Sequence, residues 1–418
     1  IVAGHFRGGR SDEVSYMIDG IPVNDAYGGV AAVSTLEVES VKDLEVITGT
    51  FNAEYGNAMS GVVNAVTKDG SNEFHGSVNS AYSTYITDNK RNGEKVYIGL
   101  DPFGINSNSD FRFNLSGPII KDRLYFFSNF RTQGINGHLN GIRRFNVWNL
   151  SNFYDQDSSK WYSENTGDSA FVPMNKGNYS SLMGKVSLDL GNIRLSWMLN
   201  NNYSQSRGYS HVYKYNPDGR SYSDANTSLM MVQLNHFLNE KMFYDIKYSI
   251  TDNNYGSYVF EDYDSYEVIK EDGIYQGVYR FEGDTVYNYV NDKYMTAFGT
   301  GFFTGGQDKG YTKRATVSRN FKTTFNWQAT NAHSIKAGVS ATFYDLKNTY
   351  HTIRNAYAGT ELESNNYKPI VLPDSTVYSD MYSVEPKEAS FFLQDKFERD
   401  EIVINFGLRY DTFDANTY

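Results

Sequence analysis

The sequence predicts an all-β membrane protein, an antiparallel β-barrel preceded by a small domain. Three observations predict it. From about residue 73 onward, short segments are joined in turn by a long connection and a tight one, as when strands turn abruptly on one side of a membrane and carry elaborated loops on the other. The segments alternate apolar and polar side chains, the period that sends successive residues to opposite faces of a strand. Aromatics make up 16% of the 418 residues, with 35 Tyr and 27 Phe, although mean hydropathy is −0.54. Barrel strands give only alternate side chains to lipid and gather aromatics at the two interfaces, which accounts for both numbers. No run approaches the roughly 20 apolar residues of a spanning helix.

Residues 1 to about 70 read as a small mixed α/β or β-rich domain. Short apolar runs, Val14 to Ile21, Val41 to Thr48 and Val62 to Thr67, are punctuated by Gly-controlled turns such as Asp19-Gly20 and Asp69-Gly70. Period two then begins with Glu73 to Tyr85, Phe111 to Gly117 and Asp122 to Arg131, and continues through Asn178 to Leu190, Asn192 to Ser204 and Thr227 to Leu238. In Lys241 to Thr251, Met242, Tyr244, Ile246, Tyr248 and Ile250 share one face while Phe243, Asp245, Lys247 and Ser249 share the other. Thr312 to Trp327 follows. In Ser334 to Phe343, Ile335, Ala337, Val339, Ala341 and Phe343 oppose Ser334, Lys336, Gly338, Ser340 and Thr342. Lys387 to Phe397 and Glu401 to Phe413 complete about eleven strands, several near the roughly 9 to 11 residues a tilted membrane strand needs. Single-chain bacterial barrels avoid odd strand numbers, so the chain is expected to stop partway round its barrel. A soluble β-sandwich could supply alternation, but it has no reason to put every long loop on one side.

The net charge of −11, with basic residues scattered, argues against nucleic acid, because phosphate binding needs clustered Lys and Arg. The chain has no Cys, hence neither a disulfide framework nor a thiolate metal site. Its seven His lack helical metal-ligand spacing, and there is no nucleophile elbow, phosphate loop or dinucleotide fingerprint. No enzyme activity and no cofactor are expected. Glu261, Asp262, Asp264, Glu267, Glu271 and Asp272 could supply oxygens to Ca²⁺, but their spacing is not that of an EF-hand. They read as a solvated acidic loop, and no metal is assigned.

Four ordered blocks stand near the start: Phe6-Arg7-Gly8-Gly9-Arg10-Ser11, Tyr16-Met17-Ile18-Asp19-Gly20-Ile21-Pro22-Val23-Asn24-Asp25, Val41-Lys42-Asp43-Leu44-Glu45-Val46-Ile47-Thr48-Gly49, and Glu54-Tyr55-Gly56 through Lys68. In order and spacing they resemble the plug domain of TonB-dependent outer-membrane receptors. Phe392-Leu393-Gln394-Asp395-Lys396 and Asn405-Phe406-Gly407-Leu408-Arg409-Tyr410-Asp411 look like paired barrel strands of the same family. The first block resembles the branch whose members often carry a carboxypeptidase-regulatory-like domain before the plug.

The resemblance implies that residues 1–70 are the C-terminal part of a plug seated in the lumen. It implies that residues 71–418 are the N-terminal half of a 22-stranded barrel with long extracellular loops. The implied function is energised import of a scarce solute, whether siderophore, cobalamin, glycan or peptide, across the bacterial outer membrane. Its partners would be TonB, reached through a segment outside these residues, outer-membrane lipid, and in glycan importers a surface lipoprotein. By position, Arg7, Arg10, Asp25 and Tyr27 would face the solute, the arginines as forked donors and Tyr27 as a stacking face. Glu45, Glu54 and Lys68 could pair with wall charges and hold the plug by contacts that can be broken. A passive porin or adhesin, and a soluble glycan-binding β-protein, remain alternative readings.

Overall fold

The computed structural model describes residues 10, 13–27, 36–49, 51–56, 58–87, 89–100, 108–261, 266–271, 274–281, 284–287, 289–296, 301–364 and 367–416; over 266–287 it describes the backbone alone. The N-terminal domain is a four-stranded sheet of β1 (Val14–Ile18), β2 (Ile21–Pro22), β3 (Val41–Ile47) and β4 (Gly61–Thr67), in the order β2-β1-β4-β3. β1 and β2 form a hairpin closed by Asp19-Gly20, whose φ angles are 47° and 79°. Two successive positive φ values make the primed turn that matches strand twist, and Asp-Gly is among its favoured pairs. β4 runs parallel to β1 and antiparallel to β3. Every side chain of β1 is buried, as expected of a strand covered on both faces.

Eleven long strands follow as a meander: β5 (His75–Ser83), β6 (Asn108–Ile120), β7 (Leu124–Ile135), β8 (Gly177–Asp189), β9 (Ile193–Ser206), β10 (Tyr222–Asn239), β11 (Met242–Tyr258), β12 (Gly310–Gln328), β13 (His333–Thr352), β15 (Lys387–Arg399) and β16 (Ile402–Asp414). A short β14 (Ser379–Val384) pairs with the loop end of β13 just where β15 leaves off. Pro386 separates them, and Tyr344 donates its N–H to the Pro386 carbonyl. Proline has no N–H to give a ladder, so β14 and β15 form one interrupted crossing. The tight turns carry Asp122, Gly191 and Asp400 at φ of 59°, 86° and 54°.

Several strands are longer than the alternation predicts, most of all toward the long connections. β10 begins at Tyr222 rather than Thr227, β11 runs to Tyr258 rather than Thr251, and β13 to Thr352 rather than Phe343. Asp224, Asn226, Asp252, Asn253 and Asn254 show why. Above the membrane both faces meet water, so alternation lapses while backbone pairing continues.

Register places side chains in rows. Leu188, Leu195, Leu234, Ile246, Thr323, Val339, Phe391 and Tyr410 lie side by side across eight strands on the convex, apolar face. One residue along, Ser187, Ser196, Gln233, Lys247, Lys322, Ser340, Ser390 and Asp411 make the matching row of the concave face. Tyr248 is 43% exposed while Ser249 beside it is fully buried. The sheet ends at β5 and β16 without closing, and the N-terminal domain lies in its trough.

Candidate functional site

The site is the seat of the N-terminal domain on the concave wall. The Asp19-Gly20 turn points its tip into that wall. Lys247 donates to the Asp19 carbonyl at 2.7 Å and Lys322 to the Gly20 carbonyl at 3.2 Å. The Asp19 carboxylate accepts the N–H of Thr67 at 2.8 Å and its hydroxyl at 2.5 Å. Lys185 stands 3.5 Å from the same carboxylate and donates to the Thr67 hydroxyl at 2.9 Å, with only 7% of its side chain exposed. Asp69 ties the next segment down through Arg194 at 3.1 Å and the Ser187 hydroxyl at 2.7 Å.

Glu54 is gripped from two strands. Lys322 approaches it at 3.4 Å and Lys336 donates to its other oxygen. Burial opposes ionisation of Glu54, yet the two ammonium groups overcome it and hold its carboxyl below the ordinary range. Burial, and then the charges of Glu54 and Glu45, push the neighbouring Tyr55 phenol up to about 12. Arg409 donates to the Glu54 carbonyl at 3.0 Å. A Cβ on Gly56 would sit 2.4 Å from that guanidinium, so a larger residue there would push Arg409 off the Glu54 carbonyl.

Nearer the long loops, Glu39 pairs with Arg112 at 2.9 Å and Glu37 with Arg131 at 3.1 Å, while Asp110 bridges the two arginines. Tyr27 lies 5.3 Å beneath the Arg314 guanidinium and 6.3 Å from the Tyr382 ring. Burial, with Tyr382 beside it, raises its phenol well above the usual range. Between these polar contacts is an apolar patch where Val14, Tyr16 and Val63 of the small sheet join Phe127, Met183, Met198, Leu229 and Met231 of the wall in one buried cluster. Cavities of about 440 and 460 Å³ flank the seat. The larger is lined by Glu45, Glu54, Arg194, Lys247 and Lys336, the other by Asn24, Asp25, Thr342, Glu388 and Arg409.

The residues singled out from sequence are placed as follows. Arg7 lies outside the described residues, as do residues 28–30 of the second loop. Arg10 is exposed, and its N–H is capped by Glu13. Asp25 turns back to accept the N–H of Tyr27, so Asp25 and Tyr27 come together beside Arg314. Glu54 meets the wall. Glu45 instead accepts from Asn64 within its own sheet. Lys68 gives its N–H to Ser40 and makes no ion pair among the described residues. Of the loop carboxylates, Asp262, Asp264 and Asp272 lie outside the described residues, and Glu267 and Glu271 fall where the backbone alone is described. No group of metal-holding side chains occurs among the described residues. Sequence reasoning missed Lys185, Lys247, Lys322, Lys336 and Arg409. Their signal was available, since each occupies a lumen-side alternate position of its strand.

Residues 5–62 match the family model for the TonB-dependent Receptor Plug Domain. The TonB-dependent transporter Oar of Myxococcus xanthus is 41% identical over 126 residues, 30% of this chain and 12% of that protein. The probable TonB-dependent siderophore receptor PirA of Acinetobacter baumannii is 33% identical over 131 residues, 29% of this chain and 15% of that protein. In fold, the outer membrane transporter YddB from Escherichia coli matches with a TM-score of 0.58 at 13% identity, over 98% of this chain and 50% of that one. The chain thus spans about half the length of that transporter and matches a smaller share of the curated relatives. A plug-domain match over residues 5–62, seated in the trough of a large antiparallel β-sheet, together with these relatives, makes the chain similar to the TonB-dependent outer-membrane receptors.

Proposed function

We propose that this chain forms the plug and part of the barrel of an energised importer, which takes a scarce solute across the outer membrane with TonB supplying the pull. In this reading residues 1–70 are the plug, 71–418 are barrel wall with extracellular loops, and Arg7, Arg10, Asp25 and Tyr27 face the solute. The carrying observation is how the small sheet is held. Its contacts with the wall run from Arg112 on β6 to Arg409 on β16, and outside the patch around Met198 and the ring of Tyr27 they are mainly ion pairs and hydrogen bonds. Polar contacts can be exchanged for water once the two surfaces part, so such a seat can be vacated without unfolding the wall. Siderophore receptors among the relatives support a small solute. No enzymatic role is part of this reading. The packed loops above the trough are the surface that a capping lipoprotein would meet.

Uptake by cells expressing the full-length protein tests the proposal. Accumulation should stop when TonB is absent or the proton gradient is collapsed. A large steady conductance in planar bilayers, unchanged by deleting residues 1–70, would favour a passive porin instead.

A further inference from the structure

The ion pairs between the plug and the wall have one direction among the described residues. Glu37, Glu39, Glu54, Asp19 and Asp69 supply the anions from the plug side, and Arg112, Arg131, Lys185, Arg194, Lys322 and Lys336 supply the cations from the wall. The remaining cations form a band, a basic track, across the wall: Lys185 on β8, Arg194 on β9, Lys247 on β11, Lys322 on β12, Lys336 on β13 and Arg409 on β16. Lys247 and Lys322 are direct cross-strand partners, an arrangement that like charges destabilise. Arg194, Lys247 and Arg409 each have a wall carboxylate within 4 Å, from Asp189, Asp245 and Asp411. Lys185, Lys322 and Lys336 have none among the described residues and pair only with Asp19, Asp69 and Glu54 of the plug. A cavity of about 460 Å³ already adjoins this track.

We propose that the basic track is an anion site on the lumen wall, occupied at rest by the plug, whose carboxylates and turn carbonyls stand in for a solute bearing oxyanion groups. This rests on the import reading in one respect, that the plug yields the track when solute passes. A wall built only to hold a plug could place the two signs on either side. A track left with unpaired lysines each time the plug withdraws is suited to a passing anion, which restores the lost partners and lowers the cost of plug withdrawal.

The test is competition in the purified full-length protein in detergent. Hydrogen exchange of the Val14–Pro22 hairpin is followed by mass spectrometry with pyrophosphate as probe and sodium chloride at equal ionic strength as reference. Pyrophosphate should accelerate exchange on the order of fivefold over chloride, the lower range of a site-to-site coupling. The acceleration should vanish in Lys247→Gln and in Lys185→Gln, two variants on different strands, each compared with its own chloride baseline. In Glu54→Gln it should appear at lower pyrophosphate concentration. Equal exchange in both salts, or a full pyrophosphate response in both lysine variants, would overturn the anion site. Absence of energised uptake in cells would sink the import reading and leave the exchange result standing.

Discussion

At the scale of single residues, Asp19 performs three tasks that few side chains could combine. It adopts a positive φ, accepts two hydrogen bonds from Thr67 and faces Lys185. Asp19→Ala strains the turn and leaves buried donors without an acceptor, and should weaken plug seating by about 3 kcal/mol. Asp19→Asn keeps the turn preference and one acceptor, and should cost about half as much. Urea-dependent exchange of the Val14–Pro22 amides reads both. Glu54 gives a pH prediction with a definite sign. Its carboxyl pKa is depressed when docked, so its contribution is fully present above the free carboxyl value of about 4.3 and is lost as pH falls through the docked value. Plug amides, with their rates corrected for the intrinsic pH dependence of exchange, should therefore lose protection below about pH 4.3, and Glu54→Gln should flatten that response. Both residues stand in quoted sequence blocks, but what they touch on the wall could not be read, because Lys247 lies 228 positions from Asp19 and Lys336 282 positions from Glu54.

At the scale of elements, all eleven long strands were legible from alternation, because the lipid face and the lumen face impose opposite chemistry on neighbouring residues. Their loop ends were not, since polar residues on both faces carry no period. The apolar patch of Met183, Met198, Leu229 and Met231 was also hidden, because a lumen is expected to be polar and only a docked sheet makes that spot dry. Met198→Ala should destabilise plug seating by about 2 to 3 kcal/mol, read as lowered protection of β1 with the strands of the wall unchanged. The segment that joins the small sheet to β5 has its own constraint. A Cβ on Gly70 would lie 2.3 Å from the Phe126 carbonyl oxygen and 2.8 Å from its nitrogen. Backbone cannot yield as a side chain can, so Gly70→Ala should lower the yield of folded protein, measured as the fraction that keeps its compact mobility in unheated gels.

At the scale of the whole molecule, one register decides everything that faces lipid and everything that faces the plug. Leu234 lies in the convex row beside Leu195 and Ile246, whereas Asn235, one residue on, lines the polar cavity beside the plug. Leu234→Arg should cost about 2 to 4 kcal/mol and Asn235→Arg under about 1 kcal/mol, as lipid-facing and lumen-facing positions differ. Equilibrium folding of the full-length protein into lipid vesicles gives both numbers, and equal costs would refute the assignment of faces. The sequence alone determined the antiparallel meander, the side of each long loop and the turn at Asp19-Gly20, because these depend on residues close together in the chain. The tertiary structure alone decided which charges meet across the trough, that Glu54 binds the wall while Glu45 does not, and where the lumen turns apolar. Those outcomes depend on the curvature and register of a whole sheet, which bring together side chains that no local pattern relates.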